Sequence, residues 1–230
     1  MTLPRLLLDE AITVSLDRPE VVLPQLLALN TAAKVIIINQ EVNWMNSPAE
    51  VMASDWHGAI SRIKDLTSLP IMWYDFGAGG PGYHDAWMHL RKTGVVARLD
   101  HFCRNVYPSL DMAATRDFIA GDVKFIAGSL RVRKNQKLYG HTFYRTVPAP
   151  SNPLRPTIPA AELAKHIAWC VSVGFQGFTN YLEDWETLLN GDGEVVKRCV
   201  PPDLHVLKYI ELKEAETRAI VRANAKGWVA

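Results

Sequence analysis

Cysteine is scarce in this chain. Cys103, Cys170 and Cys199 are the only three in 230 residues, far apart and in no C-x-x-C spacing. The usual zinc-binding spacings are therefore missing, and an odd count excludes a complete disulfide framework, although one bridge beside a free thiol stays open. The three read as packing residues. Long hydrophobic runs are lacking too, since no apolar stretch reaches the ~18 residues of a membrane-spanning helix. Near the start, Asp9 breaks the run Leu6-Leu7-Leu8 before a signal-peptide core is complete, so the reading is cytoplasmic by default. Charge of one sign is lacking as well: 25 Lys and Arg stand against 24 Asp and Glu, a net of +1. Nothing here marks a binder of nucleic acid or of an anionic membrane surface, and any partner must be recognised locally. The seven histidines form no H-E-x-x-H or other ligand pattern, so no metal is expected. Internal repeats and low-complexity segments are also missing.

What is present is an ordinary globular composition, 48% apolar with 14 Gly and 14 Pro, which excludes disorder, collagen and coiled coil. Short apolar or β-branched runs alternate with amphipathic stretches, the sequence sign of parallel strands joined by crossover helices. Val35-Ile36-Ile37-Ile38, within Lys34 to Asn39, reads as a strand buried on both faces. Further strands are predicted at Leu69 to Asp75, Val95 to Asp100, Leu138 to Thr146 and Gly174 to Tyr181, with a weaker one inside Leu3 to Leu16. Helices are predicted over Pro19 to Leu29, Ala49 to Asp65, Tyr83 to Lys92, Met112 to Leu130, Pro159 to Val173 and Leu207 to about Asn224. Gly174 suits the left-handed cap of the fifth of these. The fold class is α/β, a parallel (β/α)8-type barrel forming one domain over 1–230. The chain is short against the ~250 residues of a typical barrel, so an incomplete or irregular amino-terminal part stays open.

In such a barrel, chemistry gathers where the strands end, because the following loops converge there. The predicted strands end in acidic, amide and aromatic residues: Asn39-Gln40-Glu41-Val42-Asn43-Trp44, Trp73-Tyr74-Asp75, Asp100, Tyr144-Arg145 and Asn180-Tyr181. Glu41 follows the most apolar strand, where a partly desolvated carboxyl holds its proton more tightly and suits a general acid. The competing reading is a solvated glutamate at a strand end. Asp75 and Asp100 are the candidates for a second carboxylate in glycosidic bond cleavage, and Asp100 beside His101 reads equally well as a local cap or ion pair. Trp44, Trp73, Tyr74, Tyr107, Tyr144 and Tyr181 offer flat faces and hydroxyls suited to sugar rings; taken singly, each also reads as core. Asn39, Asn43, Arg145 and Asn180 supply the polar complement.

Gly77-Ala78-Gly79-Gly80-Pro81-Gly82 matches G-x-G-x-x-G between a predicted strand and a helix. Pro81 removes an amide hydrogen where a pyrophosphate wants donors, and Asp75 adds negative charge just before the loop. Dinucleotide binding by an oxidoreductase is therefore the third reading of the chain, behind a glycine-rich loop with no cofactor.

From about Lys34 to Trp185 the chain resembles the hyaluronidase-like glycoside hydrolase barrels. The resemblance rests on Val35 through Trp44, similar to that family's strand ending D-x-E with a Trp close behind; on Asp100 through Tyr107-Pro108-Ser109-Leu110; on Lys137 to Pro148; and on Ile158-Pro159 to Tyr181, with Trp169-Cys170 and Gly174-Phe175-Gln176-Gly177-Phe178. It implies that Glu41 donates a proton to the leaving oxygen. In that scheme the aspartate two residues earlier positions the substrate's acetamido group as nucleophile. Asn39 occupies that position here, and an amide hydrogen-bonds but brings no negative charge to a developing oxazolinium.

The combined expectation is a cofactor-free and metal-free protein acting on an oligosaccharide or polysaccharide. Glu41 with Asp75 or Asp100 carries the acid chemistry, and Tyr107, Tyr144 and Tyr181 orient the sugar. The alternative is a barrel that binds glycan, or serves structurally, without cleaving. A homo-oligomer stays open.

Overall fold

The computed structural model describes residues 11–39, 48–74, 81–109, 111–146, 154, 156–180 and 185–226. Six strands succeed one another in chain order: β1 (Ala11–Val14), β2 (Val35–Asn39), β3 (Ile71–Tyr74), β4 (His101–Asn105), β5 (Lys137–Thr142) and β6 (Gly177–Asn180). The pairs β1–β2, β2–β3, β3–β4 and β5–β6 are parallel, with Ile38 opposite Trp73 and His141 opposite Thr179. The chain is thus an α/β protein of the parallel barrel class, with six such strands among the described residues where a full barrel has eight. The intervening helices are α1 (Pro19–Leu29), α2 (Pro48–Ala53), α3 (Trp56–Leu66), α4 (Pro81–Lys92), α5 (Val95–Arg98), α6 (Met112–Phe125) and α7 (Ala160–Val173). A hairpin of β7 (Trp185–Leu189) and β8 (Val195–Cys199) follows, and α8 (Pro202–Ala225) comes last.

The chain divides into two compact units, Met1–Arg104 with Lys124–Leu138, and Asn105–Val123 with Tyr139–Ala230. In the first, Ile36 and Ile38 on one side of β2 are fully buried. That side continues through Trp73, which packs against Trp56 of α3 and Trp87 of α4 with ring centroids 5.1 and 5.3 Å away. Trp87 in turn meets Phe102 of β4 edge-on at 6.2 Å. In the second unit, Leu163, Ile167 and Val171 of α7 pack with Tyr209, Leu212, Ala215, Ala219 and Ala223 of α8 around Phe143 and Tyr144.

Several elements differ from the sequence reading for identifiable reasons. The stretch Ala49 to Asp65 is two helices, because the Asp55 side chain accepts from the Gly58 amide at 3.0 Å and starts a new helix after Ala53. Met112 to Leu130 is α-helical only to Phe125 and finishes as a π-helical turn over Ile126–Leu130. Val95 to Asp100 is not a strand: Val95–Arg98 is a short helix, and the strand is the more polar His101–Asn105 that follows. The predicted cap at Gly174 is present, with φ of 125°. Cys103 and Cys170 are buried, as packing residues are, whereas Cys199 is exposed; all three are free thiols. No described helix is long and apolar enough to cross a membrane.

Candidate functional site

In the first unit the carboxyl ends of β2 and β3 bring Asn39 opposite Tyr74 in register. Side chains alternate between the two sides of a strand, so this pair lies on the side away from the Trp73 stack, and both residues are half-buried. Trp73 itself is corrected. With no exposed surface and rings of α3 and α4 on it, it is core and offers no face to a sugar. Glu41, Asn43, Trp44 and Asp75, together with most of the glycine-rich segment, lie outside the described residues.

Asp100 is corrected as well. Its amide donates to the Ile71 carbonyl at 2.8 Å, and its Oδ2 accepts from the Ile71 amide at 2.9 Å. It therefore stands beside the first residue of β3, roughly 10 Å along the strand from Tyr74 at ~3.3 Å per residue. Lys64 Nζ reaches its Oδ2 at 2.9 Å and Arg133 Nη2 its Oδ1 at 3.3 Å. Desolvation raises the affinity of this carboxyl for a proton, but the Ile71 amide, Lys64 and Arg133 together outweigh it and hold the pKa below the ordinary value. Gln136, buried alongside, donates to the carbonyls of Val96 and Leu99 at 2.7 and 2.9 Å. Near neutral pH Asp100 is an ionised fastener at the amino-terminal end of β3. Because Val95–Arg98 is helical and the strand begins only at His101, Asp100 precedes β4 rather than ending a strand.

In the second unit the same alternation sorts β5 and β6. Thr142 and Asn180 are opposite one another, and both turn to Glu216 of α8. Thr142 Oγ1 donates to Glu216 Oε1 at 2.7 Å and Asn180 Nδ2 to the same oxygen at 2.7 Å. Lys213 Nζ closes the group, donating to Glu216 Oε2 at 2.8 Å and to Asn180 Oδ1 at 2.9 Å. Asn180, a candidate sugar ligand by sequence, spends its amide on this closure.

Tyr144 and Arg145 are fully buried. The Tyr144 hydroxyl meets His205 Nδ1 at 2.5 Å, and its ring meets Tyr209 edge-on at 5.1 Å. The Arg145 guanidinium lies over the Phe143 ring at 4.4 Å. Both are interior residues rather than surfaces for a ligand. Tyr181 lies outside the described residues.

The opposite side of the same strands carries Tyr139, His141 and Thr179. His141 Nδ1 and Thr179 Oγ1 are 2.7 Å apart, and the half-buried Tyr107 ring leans on His141 at 5.6 Å. Burial pushes the His141 pKa down to about 4, so near neutral pH the imidazole is an uncharged hydrogen-bonding group. Burial also raises the Tyr139 pKa, keeping the phenol protonated. Gly177 belongs to this side for lack of room, because a Cβ there would approach the Tyr139 ring to 2.5 Å. Among the described sequence candidates of this unit, Tyr107 lies with this group. His141, Tyr139 and Thr179 lie within the strands rather than at their ends, and their signal in the sequence is the period-two pattern Tyr139, His141 and Gly177, Thr179.

Among the described residues no group of three or more His, Cys, Asp or Glu could hold a metal ion. The arrangement offers uncharged hydrogen-bonding groups and aromatic faces on one side of each strand pair, chemistry suited to a hydroxyl-rich ligand. No protein-family model and no curated protein matches the sequence. Among solved structures the chain is similar to bee venom hyaluronidase, at 12% identity and a TM-score of 0.57 over 92% of this chain and 87% of that one. A second structure of bee venom hyaluronidase, in complex with a hyaluronic acid tetramer, matches at 10% identity and a TM-score of 0.53, over 90% of this chain and 83% of that one. At such identities the likeness is one of fold.

Proposed function

We propose that the protein cleaves a glycosidic bond in an oligosaccharide or polysaccharide, with Glu41 as the general acid. The supporting observation is the shared fold with a hyaluronidase, taken with the sequence Asn39-Gln40-Glu41, whose Asn39 is the last residue of β2. On this reading Glu41 protonates the leaving oxygen, Asp75 is the second acid, and Asn39 and Tyr74 hold the reacting sugar by hydrogen bonds. Tyr107 and Tyr181 orient the sugar. Asp100, Trp73, Tyr144, Arg145 and Asn180 take no direct part. The test is release of reducing ends from a panel of polysaccharides that includes hyaluronan. Glu41→Gln is expected to lower turnover by roughly 10²–10⁴-fold, the usual worth of a positioned proton donor, at unchanged thermal stability. Undiminished turnover in that variant would overturn the assignment.

Asn39 favours a second reading, a glycan-binding protein without hydrolysis, because an amide cannot supply the negative charge that an acetamido nucleophile needs beside it. This reading expects saturable binding of a panel member with no new reducing ends. Asn39→Asp tests it further, since turnover gained by that change would identify a site disarmed at one position.

A further inference from the structure

On the side of β5 and β6 turned away from α8, four residues have no part in the reaction as assigned to Glu41 and Asp75. Tyr139 stands opposite Gly177 and His141 opposite Thr179, so the two pairs are successive rungs on one side of the sheet. Gly177 makes the first rung a platform. A Cβ there would come within 2.5 Å of Tyr139 Cε1 and 2.8 Å of Cδ1, so the phenol ring lies across the neighbouring strand in space that any other residue would fill. The ring is half-buried, which leaves part of it within reach of a ligand.

The second rung supplies a hydrogen bond without charge. His141 Nδ1 and Thr179 Oγ1 are 2.7 Å apart, and His141 is only 8% exposed where Thr179 is half-buried. The nearly enclosed imidazole thus fixes the direction of a hydroxyl that a ligand can reach. Tyr107 flanks the rung, its ring 5.6 Å from that of His141. None of these residues is Asp, Glu, Lys or Arg, and burial keeps the His141 ring uncharged down to about pH 4. Lys137, the cation at the start of β5, is exposed and lies beyond Tyr139, away from His141. On the other side of the same strands Glu216 holds Thr142 and Asn180 at 2.7 Å each, so the spacing of β5 and β6 is set before a ligand arrives.

We infer that Tyr139, Thr179 and Tyr107 form a subsite for one uncharged sugar ring, with a C–H face of the ring on Tyr139 and one of its hydroxyls hydrogen-bonded to Thr179, which His141 positions. The inference rests on the reading that this protein binds a saccharide, and it names residues other than Glu41 and Asp75 that hold one. Sugar rings suit the two rungs because they carry apolar C–H patches beside hydroxyls. At ~3.3 Å per residue the rungs are ~6.6 Å apart, a step that one pyranose ring spans with its hydroxyls. A carboxylate on the sugar would find no cation among these residues, and desolvating an unpaired charge is costly.

NMR titration of the full chain tests this, following the ring signals of Tyr139 and His141. The probes are the methyl glycosides of glucose, galactose, mannose and N-acetylglucosamine, with methyl glucuronide as the charged counterpart, each to about 0.1 M so that millimolar binding is read. The expected result is that both rings shift with at least one uncharged glycoside, which binds about tenfold or more tighter than methyl glucuronide. Tyr139→Leu is expected to weaken that glycoside about tenfold and Tyr139→Phe to keep it within about threefold, because the ring face does the holding. Thr179→Val is expected to weaken it about threefold to tenfold, the worth of one neutral hydrogen bond. The wild-type titration reads the subsite even where a variant fails to fold. Three results would overturn the subsite: rings unmoved by every uncharged glycoside, methyl glucuronide bound as tightly as the best of them, or a folded Tyr139→Leu chain that binds as before. Turnover undiminished in Glu41→Gln, with the Tyr139 and His141 shifts present, overturns the acid and leaves the subsite. Turnover lost in Glu41→Gln, with those shifts absent, overturns the subsite and leaves the acid.

Discussion

In the first unit the buried side of the strands is a run of rings, Trp56, Trp73, Trp87 and Phe102, and its ionised groups sit at an edge, where Lys64 and Arg133 hold Asp100. In the second unit ionisable side chains go inside: Glu216 among Thr142, Asn180 and Lys213, His166 of α7 against the Val106 carbonyl, and Arg145 on Phe143. An apolar interior gains stability from area and shape and is indifferent to pH, whereas a polar one depends on every partner being present and in the right protonation state. The comparison therefore concerns vulnerability. The first unit is broken by removing volume, the second by changing charge.

Trp73→Ala should have the largest effect. It removes the ring at the centre of the stack and should cost about 3–5 kcal/mol, read from denaturant unfolding. A loss below ~1 kcal/mol would mean that the rings collapse together and that the interior is less tightly packed than the distances imply.

Acid should act next, and mainly on the second unit. His141 is held down to about 4 by burial. His166 is also held down to about 4, chiefly by burial, with Arg116 adding to the effect and the hydrogen bond to the Val106 carbonyl opposing it. Between pH 6.5 and 4 the unfolded chain therefore binds more protons at these two rings than the folded chain does. Stability is full above that window and declines as pH falls through it, by at most about 3 kcal/mol per histidine. In the first unit His101 is lowered by desolvation against the opposing charge of Asp100. The stabilisation from Asp100, whose pKa is lowered, persists until pH falls below its ordinary 3.8. Hydrogen exchange at about pH 4.5, inside that window, should show amides of α7 and β5 losing protection before those of β2 and β3. Equal loss in both would erase the distinction.

Glu216→Gln should cost about 1–2 kcal/mol, because the amide keeps the shape but takes the partner carboxylate from Lys213. Glu216→Ala should cost more. The smallest effect belongs to Asp100→Asn, about 1 kcal/mol given its partly exposed partners, with no change in any glycan turnover. A large loss of turnover in that variant would restore Asp100 to the reaction.

The sequence was most legible where one signal dominated. The unbroken apolar run marked β2 to within a residue, and Gly174 marked the end of α7. It misled where composition and context disagreed. Val95 and Val96 are β-branched yet helical, packed beneath α3 and α4, while the true strand His101–Asn105 carries His, Arg and Asn. That displacement moved Asp100 from one end of the sheet to the other in the functional reading. Tyr144 and Asn180 misled differently, since nothing local reveals that α8, some sixty residues downstream in the case of His205, supplies their partners, and Arg145 is buried against the neighbouring Phe143 ring. Tertiary contact at that separation is outside the reach of a window along the chain.

The free thiols differ in access, and that has a practical use. Cys103 and Cys170 are enclosed, and burial raises the Cys170 pKa far out of the range where a thiolate forms. Cys199 stands exposed at the end of β8. A maleimide dye applied to the folded chain should therefore attach once per molecule, giving an optical reporter on the hairpin without any engineered residue.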